Sequence, residues 1–188
     1  MTSKGITLIG ITGYAGTGKD TVRGMLEKKG FTGLAFADPI RAMLRTLLRS
    51  SGLNEAYMDS RAFKERDIPE LGVSYRHLAQ TLGTEWGRAV QHDFWLRLAA
   101  NKMMMASRED AAAKFVISDV RFVNEADFVR QLGGQIWRIE RADAPSEREH
   151  VSESEIDRLM VDQYIHNDGS LVELQRLVCM ALDYRGAQ

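Results

Sequence analysis

Residues 13–21 read GYAGTGKDT and match the pattern G-x-x-x-x-G-K, which joins a buried strand to a helix in phosphate-binding loops. An apolar run at residues 6–11 precedes them, and apolar residues at helical spacing follow within residues 19–29. Glycines at such a turn let backbone N–H groups face a phosphate, and the start of the helix adds its positive dipole end. The stretch therefore predicts a phosphate-binding loop at the carboxyl end of the first strand, and an ordinary glycine-rich turn is the disfavoured alternative.

Three polar residues of this loop are predicted to carry chemistry. Lys19 would place a full positive charge on the β- and γ-phosphates of a nucleoside triphosphate. The next position normally holds a Ser or Thr that gives Mg²⁺ an oxygen ligand, and here it is Asp20 with Thr21 beside it. A carboxylate oxygen or the neighbouring hydroxyl oxygen could serve equally well, so Asp20 and Thr21 are both candidate metal ligands.

A second acidic group is expected near the metal, and Asp119 is the candidate. It ends the apolar run at residues 115–118, and ligands gather at the carboxyl ends of strands in open α/β sheets. Arg121 would stabilise charge on the transferred phosphoryl group, with Glu125 orienting it. The alternatives are a loop-capping aspartate and a surface ion pair between Arg121 and Glu125.

Strand and helix patterns alternate along the chain, which predicts a parallel sheet covered on both faces. We expect an α/β fold: a three-layer sandwich with a five-stranded parallel sheet. A polar segment at residues 54–73 is predicted to be mobile. The predicted strands are residues 6–11, 34–37, 115–118, 136–139 and 163–166. The predicted helices are residues 19–29, 39–51, 75–90 with interruptions near Gly83 and Gly87, 94–105, 123–132, and a last one after Ser170.

Composition excludes several classes of protein. The chain has 188 residues with 25 Lys and Arg against 26 Asp and Glu, a net charge of −1. A protein that coats nucleic acid would need a clearly basic surface, so no nucleic-acid partner is expected. The apolar runs fall far short of the roughly 20 residues that span a bilayer, so no membrane partner is expected. A single cysteine, Cys179, fits a reducing cytoplasm.

Two common classes with this loop can also be set aside. A GTPase would show N-K-x-D, but residues 101–104 read NKMM, and it would show D-x-x-G where residues 119–122 read DVRF. A motor ATPase or helicase needs a larger core than 188 residues normally supply. A kinase that acts on a small molecule remains.

An ordered set of motifs resembles the deoxynucleoside monophosphate kinases of tailed bacteriophages. The set covers nearly the whole chain and lies at residues 17–21, 38–41, 76–84, 119–122 with Glu125, and 167–171. The resemblance implies ATP-dependent phosphorylation of deoxynucleoside 5′-monophosphates to diphosphates with Mg²⁺, in the cytoplasm of the infected cell. It also suggests a homodimer. It further implies one domain, residues 1–188, with about residues 54–108 as an acceptor-binding helical lobe.

The resemblance assigns residues to two binding sites. Those expected at the ATP are Gly16, Thr17, Gly18, Lys19, Asp20, Thr21, Arg141, Asn167, Asp168 and Gly169. Those expected at the acceptor are Asp38, Arg41, Arg76, His77, Gln80, Trp95 and Arg121. The family often has a second basic residue where His77 stands and has an acid in place of Gln80, which leaves base selectivity open.

Some of these residues have a purely structural alternative. Trp95 could be a core residue of an amphipathic helix instead of stacking on the acceptor base. The stretch at residues 167–169 could be a turn before the last helix, and Arg141 could be a solvated charge at a strand end.

Two functions of other kinds stay open on sequence grounds. One is a different small P-loop kinase, such as a dephospho-coenzyme A or adenylate kinase. The other is a nucleotide-binding switch without turnover, whose ADP release would not depend on an acceptor.

Overall fold

A computed structural model, which describes residues 7–144 and 155–184, contains one sheet of five parallel strands. These strands are β1 (Leu8–Thr12), β2 (Phe31–Leu34), β5 (Lys114–Ile117), β6 (Gln135–Glu140) and β7 (Gln163–His166). Their order is β2-β5-β1-β6-β7, so β1 lies in the centre. A separate antiparallel pair is formed by β3 (Asp67–Ile68) and β4 (Val73–Ser74). The predicted five-stranded parallel sheet is confirmed.

Eight helices connect these strands within the described residues. They are α1 (Lys19–Glu27), α2 (Asp38–Ser50), α3 (Arg61–Glu65), α4 (Tyr75–Gln80), α5 (Gly87–Val90), α6 (Phe94–Glu109), α7 (Val123–Gln131) and α8 (Leu171–Asp183). Short 3-10 turns lie at Glu55–Met58 and Ile156–Arg158. The chain divides into two compact units, Met1–Ala35 with Ala99–Gln188, and Phe36–Leu98.

The first unit has helices on both faces of the sheet, because side chains alternate along β1. Ile9 and Ile11 are fully buried in a cluster with residues of α1 and α8. Gly10 faces the other way, and a Cβ built on it would lie 3.1 Å from Val129 Cγ2 of α7. The three-layer arrangement that the sequence predicts is therefore confirmed.

The second unit is mainly helical and begins at Phe36, earlier than the lobe expected at residues 54–108, because α2 packs against α4. Helical hydrogen bonding continues from Tyr75 to Val90 through a wider π-turn at Thr81–Trp86, without the interruptions expected at its glycines. Those glycines permit close packing instead. A Cβ on Gly83 would lie 2.9 Å from Ile40 Cδ1, and a Cβ on Gly87 would lie 2.4 Å from the Trp95 indole nitrogen.

One local expectation was wrong. The second strand is Phe31–Leu34 and not residues 34–37, because Phe31 pairs with Lys114 and the chain after Leu34 turns into α2. Residues 54–73 contain short elements, since side chains cap their first turns. Asn54 accepts a hydrogen bond from Ala56 N at 2.9 Å, and Ser60 accepts one from Phe63 N at 3.3 Å.

No helix in residues 7–144 and 155–184 has the length and apolar character needed to cross a bilayer.

Two glycines differ in the space around them, and substituting them should change the free energy of unfolding in opposite directions. Gly10→Val would press on Ile136 and Val120, each 2.9 Å from the new Cβ, and should lower the free energy of unfolding by about 1–3 kcal/mol. Gly24→Ala, in α1 with nothing within 4 Å of its Cβ, should raise it by about 0.4–1 kcal/mol. Urea unfolding of both variants tests this, and wild-type stability of Gly10→Val would contradict the packing described.

Candidate active site

The loop between β1 and α1 depends on glycines that adopt positive φ angles. Gly13, Gly16 and Gly18 have φ values of 136°, 81° and 99°, which residues with a side chain rarely adopt. A Cβ on Gly13 would also lie 2.4 Å from the carbonyl oxygen of Ile139 on β6. The sequence therefore folds into a tight loop that lies against the neighbouring strand and leads directly into α1.

Lys19, the first residue of α1, reaches back across this loop. Its Nζ donates to the carbonyl oxygens of Gly13 at 2.7 Å and Tyr14 at 2.6 Å. The Thr17 hydroxyl donates to the same Tyr14 oxygen at 2.9 Å, and Thr17 is only 2% exposed. The buried Thr17 hydroxyl thus stabilises the loop conformation, and the same loop carbonyls hold the Lys19 ammonium in place.

A cavity of about 720 Å³ opens over the loop and brings the predicted ATP-binding residues together. All of them except Thr17 line its wall, together with further residues of the loops that follow β6 and β7. The lining residues are Gly16, Gly18, Lys19, Asp20, Thr21, Arg141, Ala142, Asp143, Asn167, Asp168, Gly169 and Leu171.

Hydrogen bonds connect the segment after β7 to the phosphate-binding loop and to the segment after β6. Asn167 Nδ2 donates to the Thr17 carbonyl at 2.9 Å, and its backbone N–H donates to the Glu140 carbonyl at 2.7 Å. Asp168 accepts from the Ala142 N–H at 2.7 Å. Ser170 then caps α8 by accepting from Glu173 N at 3.2 Å. Residues 167–170 are therefore both a cavity wall and a turn before the helix.

Asp119 and Arg121 lie in the turn after β5, and Glu125 lies in the first turn of α7. They are on the other side of β1 from β6, and none of them lines the cavity. The turn that holds them is tied to β1 because Val120 N donates to the Ile11 carbonyl at 3.1 Å. Glu125 is 6% exposed and accepts from the backbone N–H groups of Arg121 at 2.8 Å and Phe122 at 3.1 Å. It thereby caps α7 and fixes the main chain from which Arg121 projects.

The oxygen donors near the loop suit Mg²⁺. Asp20 and Thr21 line the cavity, and Asp119 ends the strand next to β1. Mg²⁺ usually takes one or two carboxylates and completes its shell with phosphate oxygens and water. Within residues 7–144 and 155–184 there is no cluster of three or more His, Cys, Asp or Glu that could form an all-protein cage. The donor set thus fits a metal that is shared with a bound phosphate.

The predicted acceptor residues other than Arg121 all belong to the second unit: Asp38, Arg41, Arg76, His77, Gln80 and Trp95. Arg76 Nη1 donates to Glu65 Oε1 at 2.6 Å, and Arg61 Nε donates to the same oxygen at 2.9 Å. The hydrogen bond from Arg61 lowers the pKa of Glu65, and Arg76 lowers it further. A single carboxylate therefore holds two guanidinium groups side by side.

Arg41 is held in a similar way at the start of α2. Its Nη1 donates to Asp38 Oδ1 at 3.0 Å. Burial raises the pKa of Tyr75 on α4, while the charges of Arg41 and Arg45 lower it. The second unit thus carries preformed cationic groups on two of its helices.

The two tryptophans of this unit differ in exposure. Trp95 is 6% exposed and donates its indole N–H to the Gly83 carbonyl at 2.7 Å. Trp86 is 43% exposed and packs edge-on against Phe94 with ring centroids 5.7 Å apart. Of the two roles considered for Trp95, its burial favours that of a core residue that fixes the π-turn.

Sequence reasoning missed three lining residues and one contact of the loop. The three lining residues lie one or two positions after Arg141 and Gly169, so extending those predicted segments by two positions would have found them: Ala142, Asp143 and Leu171. Tyr14 bonds to Asp157 at 2.7 Å across 143 residues, and no local signal marks that pair.

Comparison with known proteins identifies the family. The model of the deoxynucleotide monophosphate kinase family matches residues 65–178. A protein of Acanthamoeba polyphaga mimivirus that carries this name is 32% identical over 165 residues, which are 80% of this chain and 82% of that protein. The deoxynucleotide monophosphate kinase of Escherichia phage RB69 is 31% identical over 102 residues, 54% of this chain and 41% of that protein.

Solved structures share the fold at low identity. TT1252 from Thermus thermophilus gives a TM-score of 0.52 at 18% identity, covering 98% of this chain and all (100%) of that chain. Dephospho-CoA kinase from Campylobacter jejuni gives 0.53 at 13% identity, covering 97% and 99%. At these identities the likeness shows the fold alone, and it supports the confirmed P-loop kinase architecture.

These matches confirm the predicted family and the predicted class of enzyme, a phosphotransferase that uses ATP and a small nucleotide. They do not favour a different small P-loop kinase. The chain belongs to the deoxynucleotide monophosphate kinase family.

Proposed function

We propose that this chain transfers the γ-phosphoryl group of ATP to the 5′-phosphate of a deoxynucleoside monophosphate, giving a deoxynucleoside diphosphate and ADP. One observation carries the proposal: in a chain of this family, the Lys19 loop and the segments after β6 and β7 enclose one cavity of about 720 Å³. That volume lies in the range of small-molecule sites, about 300–1,000 Å³.

Donor binding uses the loop as it stands. The ATP phosphates lie over the loop and the start of α1, where backbone N–H groups and the helix dipole favour negative charge. The Lys19 ammonium, held on two carbonyl oxygens, turns to the β- and γ-phosphates. The adenosine end lies toward Arg141 and residues 167–169, which also line the cavity.

In the transfer step, an oxygen of the acceptor 5′-phosphate forms a bond to the γ-phosphorus of ATP. The bond between that phosphorus and the bridging oxygen breaks, and its electron pair leaves with ADP. Positioning and charge stabilisation supply most of the catalysis in such reactions. Arg121 stabilises the transferred group, and Glu125 holds the backbone of Arg121 so that the guanidinium is placed before the reaction begins.

Asp20, Thr21 and Asp119 would hold Mg²⁺, which when bound shields the charge of the donor phosphates. We also propose, from the resemblance to phage enzymes, a homodimer that works in the host cytoplasm and supplies precursors for phage DNA synthesis.

The acceptor is assigned to the second unit. Arg41 and Arg76 bind the 5′-monophosphate, with Asp38 and Glu65 orienting them through the hydrogen bonds already described. His77 and Gln80, on α4 close to Arg76, select the sugar and base. Trp95 shapes this pocket by fixing the π-turn at the Gly83 carbonyl.

Acceptor dependence of ADP release is the direct test of this function. We expect the protein with ATP and Mg²⁺ to release ADP only when a suitable deoxynucleoside monophosphate is added, with one diphosphate formed per ADP. A panel of the common deoxynucleoside monophosphates, with dephospho-coenzyme A and AMP as competing acceptors, gives the specificity. ADP release that ignores every acceptor would indicate a nucleotide switch and overturn the proposal.

Lys19→Ala should abolish turnover and leave the fold intact. The substitution removes the positive charge that would face the donor phosphates. The Lys19 side chain contacts carbonyl oxygens of the loop and is not part of the hydrophobic core, so its loss should not unfold the protein. Lys28→Ala, at the end of α1, removes the same charge outside the cavity and should keep wild-type activity. Steady-state rates and thermal unfolding of both variants test the assignment; full activity in folded Lys19→Ala protein would remove it.

Arg121 and Arg76 should differ in the kinetic constant that they affect. Arg121→Ala should lower kcat by on the order of 10³, by analogy with arginine fingers, because the charge around the transferred phosphoryl group shifts during transfer and Arg121 would stabilise that transition state. Arg76→Ala should also raise the acceptor KM, because Arg76 would bind the 5′-phosphate before and during transfer. Steady-state constants at saturating ATP and Mg²⁺ separate the two, and an Arg121→Ala change confined to acceptor KM would contradict its catalytic role.

A further inference from the structure

The phosphate-binding loop is tied to β6 through one carboxylate that the proposed mechanism does not use. The hydroxyl of Tyr14, the second residue of the loop, donates to Asp157 Oδ2 at 2.7 Å. The other oxygen of Asp157 accepts from Arg138 Nη2 at 2.8 Å. The Arg138 guanidinium also lies 5.6 Å from the centre of the Tyr14 ring. Asp157 thus joins the loop to a strand through both of its oxygens.

Arg138 is a firm anchor for this carboxylate. Its side chain is only 13% exposed and also pairs with Glu140 at 3.1 Å. A further bond runs to the Ile156 carbonyl at 3.4 Å, in the turn that carries Asp157. Burial works against the charge, but the hydrogen bond to Asp157 and the charges of Asp157 and Glu140 leave the pKa of Arg138 above its ordinary value. The guanidinium therefore stays charged and in place.

Tyr14 connects this anchor to Lys19. Its carbonyl oxygen accepts from Lys19 Nζ at 2.6 Å and from the Thr17 hydroxyl at 2.9 Å. A side chain that is fixed at its far end restricts the φ and ψ angles of its own residue. The bond to Asp157 therefore restrains the direction of the carbonyl group that holds the lysine.

We propose that the hydrogen bond between Tyr14 and Asp157, which we call the latch, holds the phosphate-binding loop in the conformation that binds the donor phosphates. Arg138 anchors the Asp157 carboxylate. Tyr14 and Asp157 are positioning residues: they act through the loop backbone and Lys19. Hydrogen bonds to a charged carboxylate are stronger than neutral ones, so the latch can hold a glycine-rich loop in one conformation before the nucleotide arrives. This inference rests on the proposed donor site and adds a determinant of its affinity.

The test measures ADP binding with Mg²⁺ by titration calorimetry, without any acceptor. Tyr14→Phe and Asp157→Asn should each raise the ADP Kd about tenfold, which corresponds to about 1.4 kcal/mol. The double variant should bind like Tyr14→Phe alone, because without the Tyr14 hydroxyl the side chain at position 157 has no bond to the loop left to lose. Tyr164→Phe, at a tyrosine of β7 that is 51% exposed, is the matched control and should bind like wild type.

Unchanged ADP affinity in folded Tyr14→Phe protein would overturn the latch, as would losses that add in the double variant. A lower melting temperature with wild-type ADP affinity would show a structural contact only and would also overturn it. Tyr14→Phe alone decides the matter if Asp157→Asn fails to fold. Because no acceptor is present, these results are independent of the acceptor panel, in which failure of the proposed function would appear.

Discussion

The close approach of Gly13 to the Ile139 carbonyl is the constraint on which the site depends. A Cβ at this position would lie 2.4 Å from that oxygen, so the chain can leave β1 on this path only without a side chain. The path keeps the loop against β6 and starts α1 at Lys19, which returns its ammonium to the Gly13 carbonyl. Because Gly13 can approach the Ile139 carbonyl so closely, the loop amides, the start of α1 and the Lys19 ammonium all lie at the same place.

The strand order then distributes the remaining groups around the loop. Since β1 lies between β5 and β6, the carboxyl end of β5 brings Asp119 and Arg121 to one side of the loop. The carboxyl ends of β6 and β7 bring Arg141 and residues 167–169 to the other. Open parallel sheets bind ligands where the chain connections diverge in this way. The proposed donor site and the proposed catalytic arginine thus lie on separate sides of one loop.

How far the sequence predicts this protein depends on the range of the interactions involved. Four strands of the parallel sheet and the glycine-rich loop follow from local periodicity, but the second strand does not, because Thr32 and Gly33 separate its apolar residues Phe31 and Leu34. Trp86 and Trp95 look alike in a helical pattern, and only the packing of Trp95 against Gly83 and Gly87 tells them apart. The bond from Tyr14 to Asp157 spans 143 residues and follows from the final placement of β6, which no local pattern contains.

A net charge of −1 is compatible with binding a triphosphate and a monophosphate, because single nearby carboxylates hold several arginines in place. Glu65 holds Arg76, Asp38 holds Arg41, and Asp157 holds Arg138. The pairs of Arg76 and Arg41 are partly exposed and contribute little to stability, about 0–1 kcal/mol, so their main effect is on the orientation of each guanidinium. An arginine oriented in advance loses less freedom when a phosphate binds. A chain with almost no net charge can in this way present oriented guanidinium groups at its proposed phosphate sites.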